Sequence, residues 1–121
     1  MSAQIAKELQ WVGAAKKELQ SMPEPVIDVF GYALHLAQAG MKHPQAKVLK
    51  GFGSAGVLEV VEDDDGNTYR AVYTVKFKNA IYVLHCFQKK SHKGIETPKQ
   101  HMELIEERLK LARLHSEGEG K

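Results

Sequence analysis

The sequence predicts a single α+β domain in the order β-α-α-β-β-β-α, a curved antiparallel sheet packed with an N-terminal helical hairpin and a C-terminal helix. Three observations predict it. Apolar residues recur at Val26, Val29, Phe30, Ala33, Leu34 and Ala37, the one-face spacing of a helix. Residues 68–78 alternate strictly between two turn signals. Thr97-Pro98 then opens a last helix whose apolar stripe is Met102, Ile105, Leu109 and Ala112.

Taken in order, residues 8–12 read as a short strand and residues 14–22, rich in alanine and lysine, as a short helix stopped by Pro23-Glu24-Pro25. The second helix follows from Val26, and Gly40 suits its C′ position, where a left-handed backbone closes the helix. Residues 41–56 hold Pro44, Gly51, Gly53 and Gly56 without a period, so they read as a long loop. A strand over residues 57–62 leads into Asp65-Gly66, a hairpin turn signature. In the next strand Tyr69, Ala71, Tyr73, Val75 and Phe77 take one pleat face, and Arg70, Val72, Thr74, Lys76 and Lys78 the other. Residues 81–88 complete a three-stranded meander. Thr97, Pro98 and Gln100 suit the N-cap, N1 and N3 positions of the last helix. The domain should span residues 1–115, with 116–121 a flexible polar tail.

Composition narrows the function classes. The 121 residues carry 43% hydrophobic and 26% charged residues, which is ordinary for a soluble globular domain. No apolar run is long enough to cross a bilayer and no secretory signal is visible, so a cytoplasmic location and no membrane partner are expected. One cysteine, Cys86, excludes an internal disulfide; its apolar neighbours favour a buried thiol over a nucleophile. The six histidines are scattered without ligand spacing, so no metal and no cofactor are expected. Gly51-Phe52-Gly53-Ser54-Ala55-Gly56 matches the spacing of a dinucleotide loop, but no βαβ unit surrounds it, and the match is set aside. The net charge of +2 gives little general attraction for nucleic acid. Its distribution says more: Lys89, Lys90, Lys93 and Lys99 stand against the single acid Glu96, while Glu62-Asp63-Asp64-Asp65 gathers acids elsewhere.

Several blocks then acquire meaning together: residues 49–53 (Leu-Lys-Gly-Phe-Gly), 56–60 (Gly-Val-Leu-Glu-Val), 69–75 (Tyr-Arg-Ala-Val-Tyr-Thr-Val), 82–91 (Tyr-Val-Leu-His-Cys-Phe-Gln-Lys-Lys-Ser) and Thr97-Pro98. In this order, over roughly residues 8–112, they resemble the RelE/ParE toxin superfamily, and more closely its phage-related HigB-like branch. The resemblance implies a RelE-like fold and the toxin of a type II toxin–antitoxin pair that cuts messenger RNA in the ribosomal A site without a metal. It implies three partners: a cognate antitoxin, often a helix-turn-helix protein, the ribosome and mRNA. Two alternatives on the same scaffold are a ParE-like inhibitor of DNA gyrase and a degenerate phage-derived domain that only binds an antitoxin.

Cleavage of RNA by its own 2′-hydroxyl needs a base, an acid and cations around the phosphorane. Arg70 matches the superfamily's mid-strand arginine, and its planar fork suits phosphate; a structural ion pair with Glu59 is the competing reading. Lys90 and His92 are the candidate proton-transfer groups, so the expected catalytic set is Arg70, Lys90 and His92. Lys50, Lys76, Lys89, Lys93 and Lys99 are the expected RNA contacts, each weighed against a plain solvated lysine. His85, sharing a face with Val83 and Phe87, reads as a hydrogen-bonded core histidine, and Tyr73 as core packing. Nothing distinguishes His35, His43, His101 or His115. One departure stands out: relatives commonly carry a cation near the position of Val61, and this strand has none.

Overall fold

The computed structural model describes residues 6–89 and 97–119. Strand β1 (Glu8–Trp11) leads into helix α1 (Ala15–Gln20) and helix α2 (Glu24–Gln38). Strands β2 (Ala46–Val48), β3 (Val57–Asp64), β4 (Asn67–Thr74) and β5 (Ala80–Lys89) precede the long helix α3 (Lys99–Glu119). The strands form one open sheet in the order β1-β5-β4-β3-β2. The meander β3-β4-β5 is antiparallel, as the alternation predicts. The sheet as a whole is mixed, because β1 runs parallel to β5, with Leu9 opposite Ile81 and Trp11 opposite Val83.

Local chemistry sets most boundaries. Asp65 and Gly66 both take positive φ, 50° and 81°, between the paired residues Asp64 and Asn67. That is the geometry of a two-residue hairpin whose twist matches its strands. Gly40, at φ 80°, closes α2 with the Met41 N–H donating to the Leu36 carbonyl and its own N–H to that of Ala37. The expected long loop contains an extra strand: Ala46–Val48 pairs with Val60–Leu58 at the edge of the sheet. Three residues are too few to show a period. β4 stops at Thr74, earlier than the alternation suggests, because β3 begins only at Val57 and offers no partner further on. The Thr74 hydroxyl donates to the Ala55 carbonyl, and Lys7 Nζ takes up the carbonyls of Val75 and Phe77. α3 continues to Glu119 and so takes in part of the 116–121 stretch expected as a tail.

Both faces of the sheet are covered. On one, Val26, Phe30, Ala33, Leu34 and Ala37 of α2 pack on Val60, Ala71, Tyr73, Ile81 and Val83. On the other, Ile105, Leu109 and Ala112 of α3 pack on Val57, Val72, Leu84 and Phe87, with Leu49 and Ala55 closing the layer. Tyr69, Ala71 and Tyr73 therefore do share a face, and Val72 lies on the other. The period breaks in β5. His85 pairs with Val72 and Val83 with Tyr73, leaving Leu84 as an extra residue in a β-bulge. His85 thus joins Phe87 on the α3 face and not Val83, a correction to strict alternation.

Cys86 is buried, and burial pushes its thiol up to about 12, which removes any nucleophilic thiolate at neutral pH. Tyr73 is fully buried, its Oη without a hydrogen-bond partner among the described residues, and burial pushes its phenol up to about 12. An orphaned buried hydroxyl costs roughly 1–3 kcal/mol of desolvation. Tyr73→Phe should accordingly leave stability unchanged or raise it by about 1 kcal/mol, as read from urea unfolding. A loss above that size would show that the hydroxyl has a partner in solution.

Candidate functional site

The α3 face of the sheet is apolar under Ile105 and Leu109 but polar under the start of the helix. Strand register builds it as a grid. In one row Lys47, Glu59, Val72 and His85 stand on adjacent strands; in the next, Val61, Arg70 and Phe87; in the third, Asp63, Thr68 and Lys89. Directly paired residues share a face, so these side chains converge on the same side of the sheet. The first turn of α3 lies over them, with Thr97 against Arg70 and His101 against Phe87.

Arg70 is 4% exposed. Its Nη1 donates to Glu59 Oε2 at 2.8 Å and to Thr97 Oγ1 at 3.3 Å. Lys47, on the edge strand and largely exposed, approaches the other Glu59 oxygen at 4.0 Å. The competing ion-pair reading of Arg70 is therefore realised, with Glu59 as its partner, and the guanidinium belongs to a buried charge pair. Val61 is the direct cross-strand neighbour of Arg70 and brings no charge beside it. Thr97 spends its hydroxyl oxygen on Arg70, and the first helical N–H groups, those of His101 and Met102, donate to the Pro98 carbonyl. Pro98, one residue later than expected, holds the capping position.

The other expected contacts divide. Lys89 is buried opposite Thr68 on the face of Arg70, so it is no solvated strand end. Lys99 is exposed on the first turn of α3. Lys50 is exposed in the loop after β2. Lys76 does not join Arg70: it lies beyond the opposite end of β4, exposed, with its backbone against Gly56. Lys90, His92 and Lys93 lie outside the described residues.

A second cluster adjoins this grid, and sequence reasoning had no signal for most of it. The bulge puts His85 under α3, where it is buried, with Nδ1 2.9 Å from Glu18 Oε1 and Nε2 2.8 Å from His101 Nδ1. His101 stacks on Phe87 with ring centroids 4.0 Å apart, and His85 stacks on the same ring at 4.7 Å. Glu18 also accepts the Cys86 N–H at 3.1 Å. Arg108 grips Glu18 with both ends of its fork, Nη1 to Oε1 at 3.0 Å and Nη2 to Oε2 at 3.1 Å, and donates to the Leu84 carbonyl at 2.9 Å. The reason is the sheet edge. β1 stops at Trp11, so β5 beyond Val83 has no strand beside it, and side chains from α1 and α3 satisfy its backbone instead. A cleft of about 180 Å³ opens beside Glu18, Cys86, Phe87 and Gln88.

Burial alone would raise the Glu18 carboxyl. Hydrogen bonds from His85, Arg108 and the Cys86 N–H outweigh it and hold the group down at about 2. His101 is lowered from the ordinary imidazole value by burial and by His85, against the opposing pull of Glu18. His85 is the core histidine the sequence suggests. Glu18, His101 and Arg108 lie 67, 16 and 23 positions from it along the chain, and only the fold brings them together. Among the described residues, no three His, Cys, Asp or Glu side chains stand where they could hold a metal ion, and no helix is long and apolar enough to cross a membrane.

Two outcomes follow from these charges. Arg70→Ala should destabilise the fold by about 3–5 kcal/mol by stranding the Glu59 carboxylate, whereas Arg70→Met with Glu59→Leu should recover most of that loss. Urea unfolding of the single and double variants measures both, and equal losses would exclude a coupled pair. Glu18 has a folded value below its unfolded 4.5, so its contribution is complete above pH 4.5 and fades as pH falls toward about 2. Wild-type stability should drop by about 2–3 kcal/mol across that window, and Glu18→Gln should remove this part of the acid limb in pH-dependent unfolding.

No curated protein matches the chain. A family model does: phage-derived protein Gp49-like (DUF891) matches residues 17–110, from α1 through the part of α3 that carries His101 and Arg108. The match takes in every side chain of both clusters, and with it the chain belongs to the phage-derived Gp49-like family of RelE-like toxins.

Proposed function

We propose that this chain is the toxin of a type II toxin–antitoxin pair, of the HigB-like branch, and that it inhibits translation by cutting mRNA in the ribosomal A site. The observation that carries the reading is the meeting, on one sheet face beneath the start of α3, of cations and imidazoles: Arg70 and Lys89 with His85 and His101. Cleavage by an RNA's own 2′-hydroxyl needs both kinds of group at one phosphate, cations for the added charge and a group that exchanges protons near neutral pH.

On this reading Arg70 shapes the site as much as it binds phosphate. Its pairing with Glu59 fixes the guanidinium in place, and the adjoining Lys89, with Lys90, Lys93 and Lys99 from the basic segment, brings the attraction for the message that the near-neutral chain as a whole lacks. Lys90 and His92 are proposed as proton-transfer groups on the strength of the family resemblance. An antitoxin, by the same logic, covers this face and is drawn to its cations.

One observation favours a second reading. Arg70 is buried in a carboxylate clasp, and Val61 beside it supplies no charge, which suits a scaffold that binds a partner without cutting RNA. The experiment that separates the two is induction of the wild type followed by translation measurements and primer extension on cellular mRNA. Arrest with cuts at defined codons is expected. Arg70→Lys keeps a charge for Glu59 but loses the fork; it should fold and cut about 10-fold or more slowly, in line with about 1.4 kcal/mol of lost transition-state binding. Arrest without cuts, or a DNA-damage response in its place, would sink the nuclease reading.

A further inference from the structure

Hydrogen-bond arithmetic gives the chain Glu18–His85–His101 one direction when His85 carries a single proton. An ionised carboxylate can only accept, so the 2.9 Å contact requires that proton on His85 Nδ1. The 3.4 Å approach of Arg108 Nη1 to that same nitrogen is then a contact of two donors, while Arg108 spends its hydrogen bonds on Glu18 and the Leu84 carbonyl. The lone pair of His85 is then on Nε2 and accepts from His101 Nδ1 at 2.8 Å. His101, neutral in turn, is left with its lone pair on Nε2. That nitrogen has no hydrogen-bond partner among the described residues, and the residue is half-buried on the first turn of α3, above Phe87. A half-buried carboxylate, a buried imidazole and a half-buried imidazole thus stand in line, with the basic nitrogen at the outer end.

We propose that His101 Nε2 is the general base of the RNA-cleaving face, and that His85 and Glu18 position it and take up the charge it gains. The inference rests on the nuclease reading above. As the 2′-oxygen forms its bond to phosphorus, its proton passes to His101 Nε2. The P–O5′ bond breaks with its electron pair on the 5′-oxygen, which takes a proton from water. The products are a 2′,3′-cyclic phosphate and a 5′-hydroxyl, and the imidazolium returns its proton to the hydroxide so formed. While His101 is charged, its Nδ1 proton can shift to His85 Nε2, placing the positive charge beside Glu18, which stays ionised throughout.

The groups that set this chemistry come from three elements: Glu18 from α1, His85 from β5, and Arg108 from α3, which also binds Glu18. Arg108 and the two contacts to the β5 edge explain why the cluster exists for the fold's sake. They do not explain a second imidazole joined at 2.8 Å with its far nitrogen unused. Arg70, held to Thr97 one helical turn before His101, stands next to the same ring through its strand partner Phe87.

The test is single-turnover cleavage on mRNA-programmed ribosomes across pH 5–9, with His101→Asn and Glu18→Gln beside the wild type. Asparagine can donate to His85 Nε2 as Nδ1 does but offers no base. The wild-type rate should rise with pH through a value below the ordinary imidazole range and then level. His101→Asn should lose roughly 100-fold or more and its rising limb. Glu18→Gln should move that limb to lower pH, because the carboxylate supports the protonated ring, an effect loss of packing alone does not produce. Nitrogen-15 NMR of the wild-type imidazoles reads the same claim without any variant: His101 should carry its proton on Nδ1. Cleavage by His101→Asn at the wild-type rate with the limb in place, or a proton found on Nε2, overturns the relay while the nuclease reading stands. A wild type that cuts no message overturns that reading and the role of His101 with it.

Discussion

The Glu18 carboxylate ties together three elements, α1, β5 and α3, at the open edge of the sheet. It sits on the short helix α1, takes the N–H that β5 would otherwise give to a neighbouring strand, and receives Arg108 from α3 on the far side of the sheet. A sheet with helices on both faces must still close the edge where its covering layers part, and here β1 covers only the first half of β5. The remaining half is closed by one acid and one guanidinium. Every polar contact described around His85 and His101 depends on that closure, because it holds the α3 start above Phe87.

Two charge pairs, one buried and one partly buried, thus flank one aromatic ring. Arg70–Glu59 lies on the β4 side of Phe87 and Glu18–Arg108 toward the open edge. Pairs of this kind add little net stability compared with apolar packing of equal volume, yet breaking one by half is expensive. Their value is directional. Each fixes a guanidinium in one orientation, and between them the imidazoles are held in a single hydrogen-bonded order, which apolar side chains could not impose.

Much of the frame was legible in the residues. The helix period from Val26 and the Asp65-Gly66 turn correspond to elements with those boundaries or nearly so, and the alternation over 68–78 to a strand that ends sooner, at Thr74, since each is a local signal that the chain satisfies locally. The edge strand Ala46–Val48 was not legible, being shorter than any period. The site was legible in part. The pairing of Arg70 with Glu59 could be weighed, because the two stand diagonally on adjacent strands of one hairpin. The partnership of Glu18, His85, His101 and Arg108 could not, because it joins four separate elements and depends on a bulge. Alternation assigns His85 to the side of Val83; the ladder puts it on the other, and no residue around Leu84 announces the extra position.

That bulge sets a limit on how the chain can drift. Substitutions in β5 change what a position contributes, but straightening the bulge at unchanged length would shift the ladder by one residue and turn the imidazole toward α2, into the layer of Phe30 and Tyr73. In lineages that keep the histidine chain, the irregular step at Leu84 should therefore be inherited more faithfully than the identity of most residues around it.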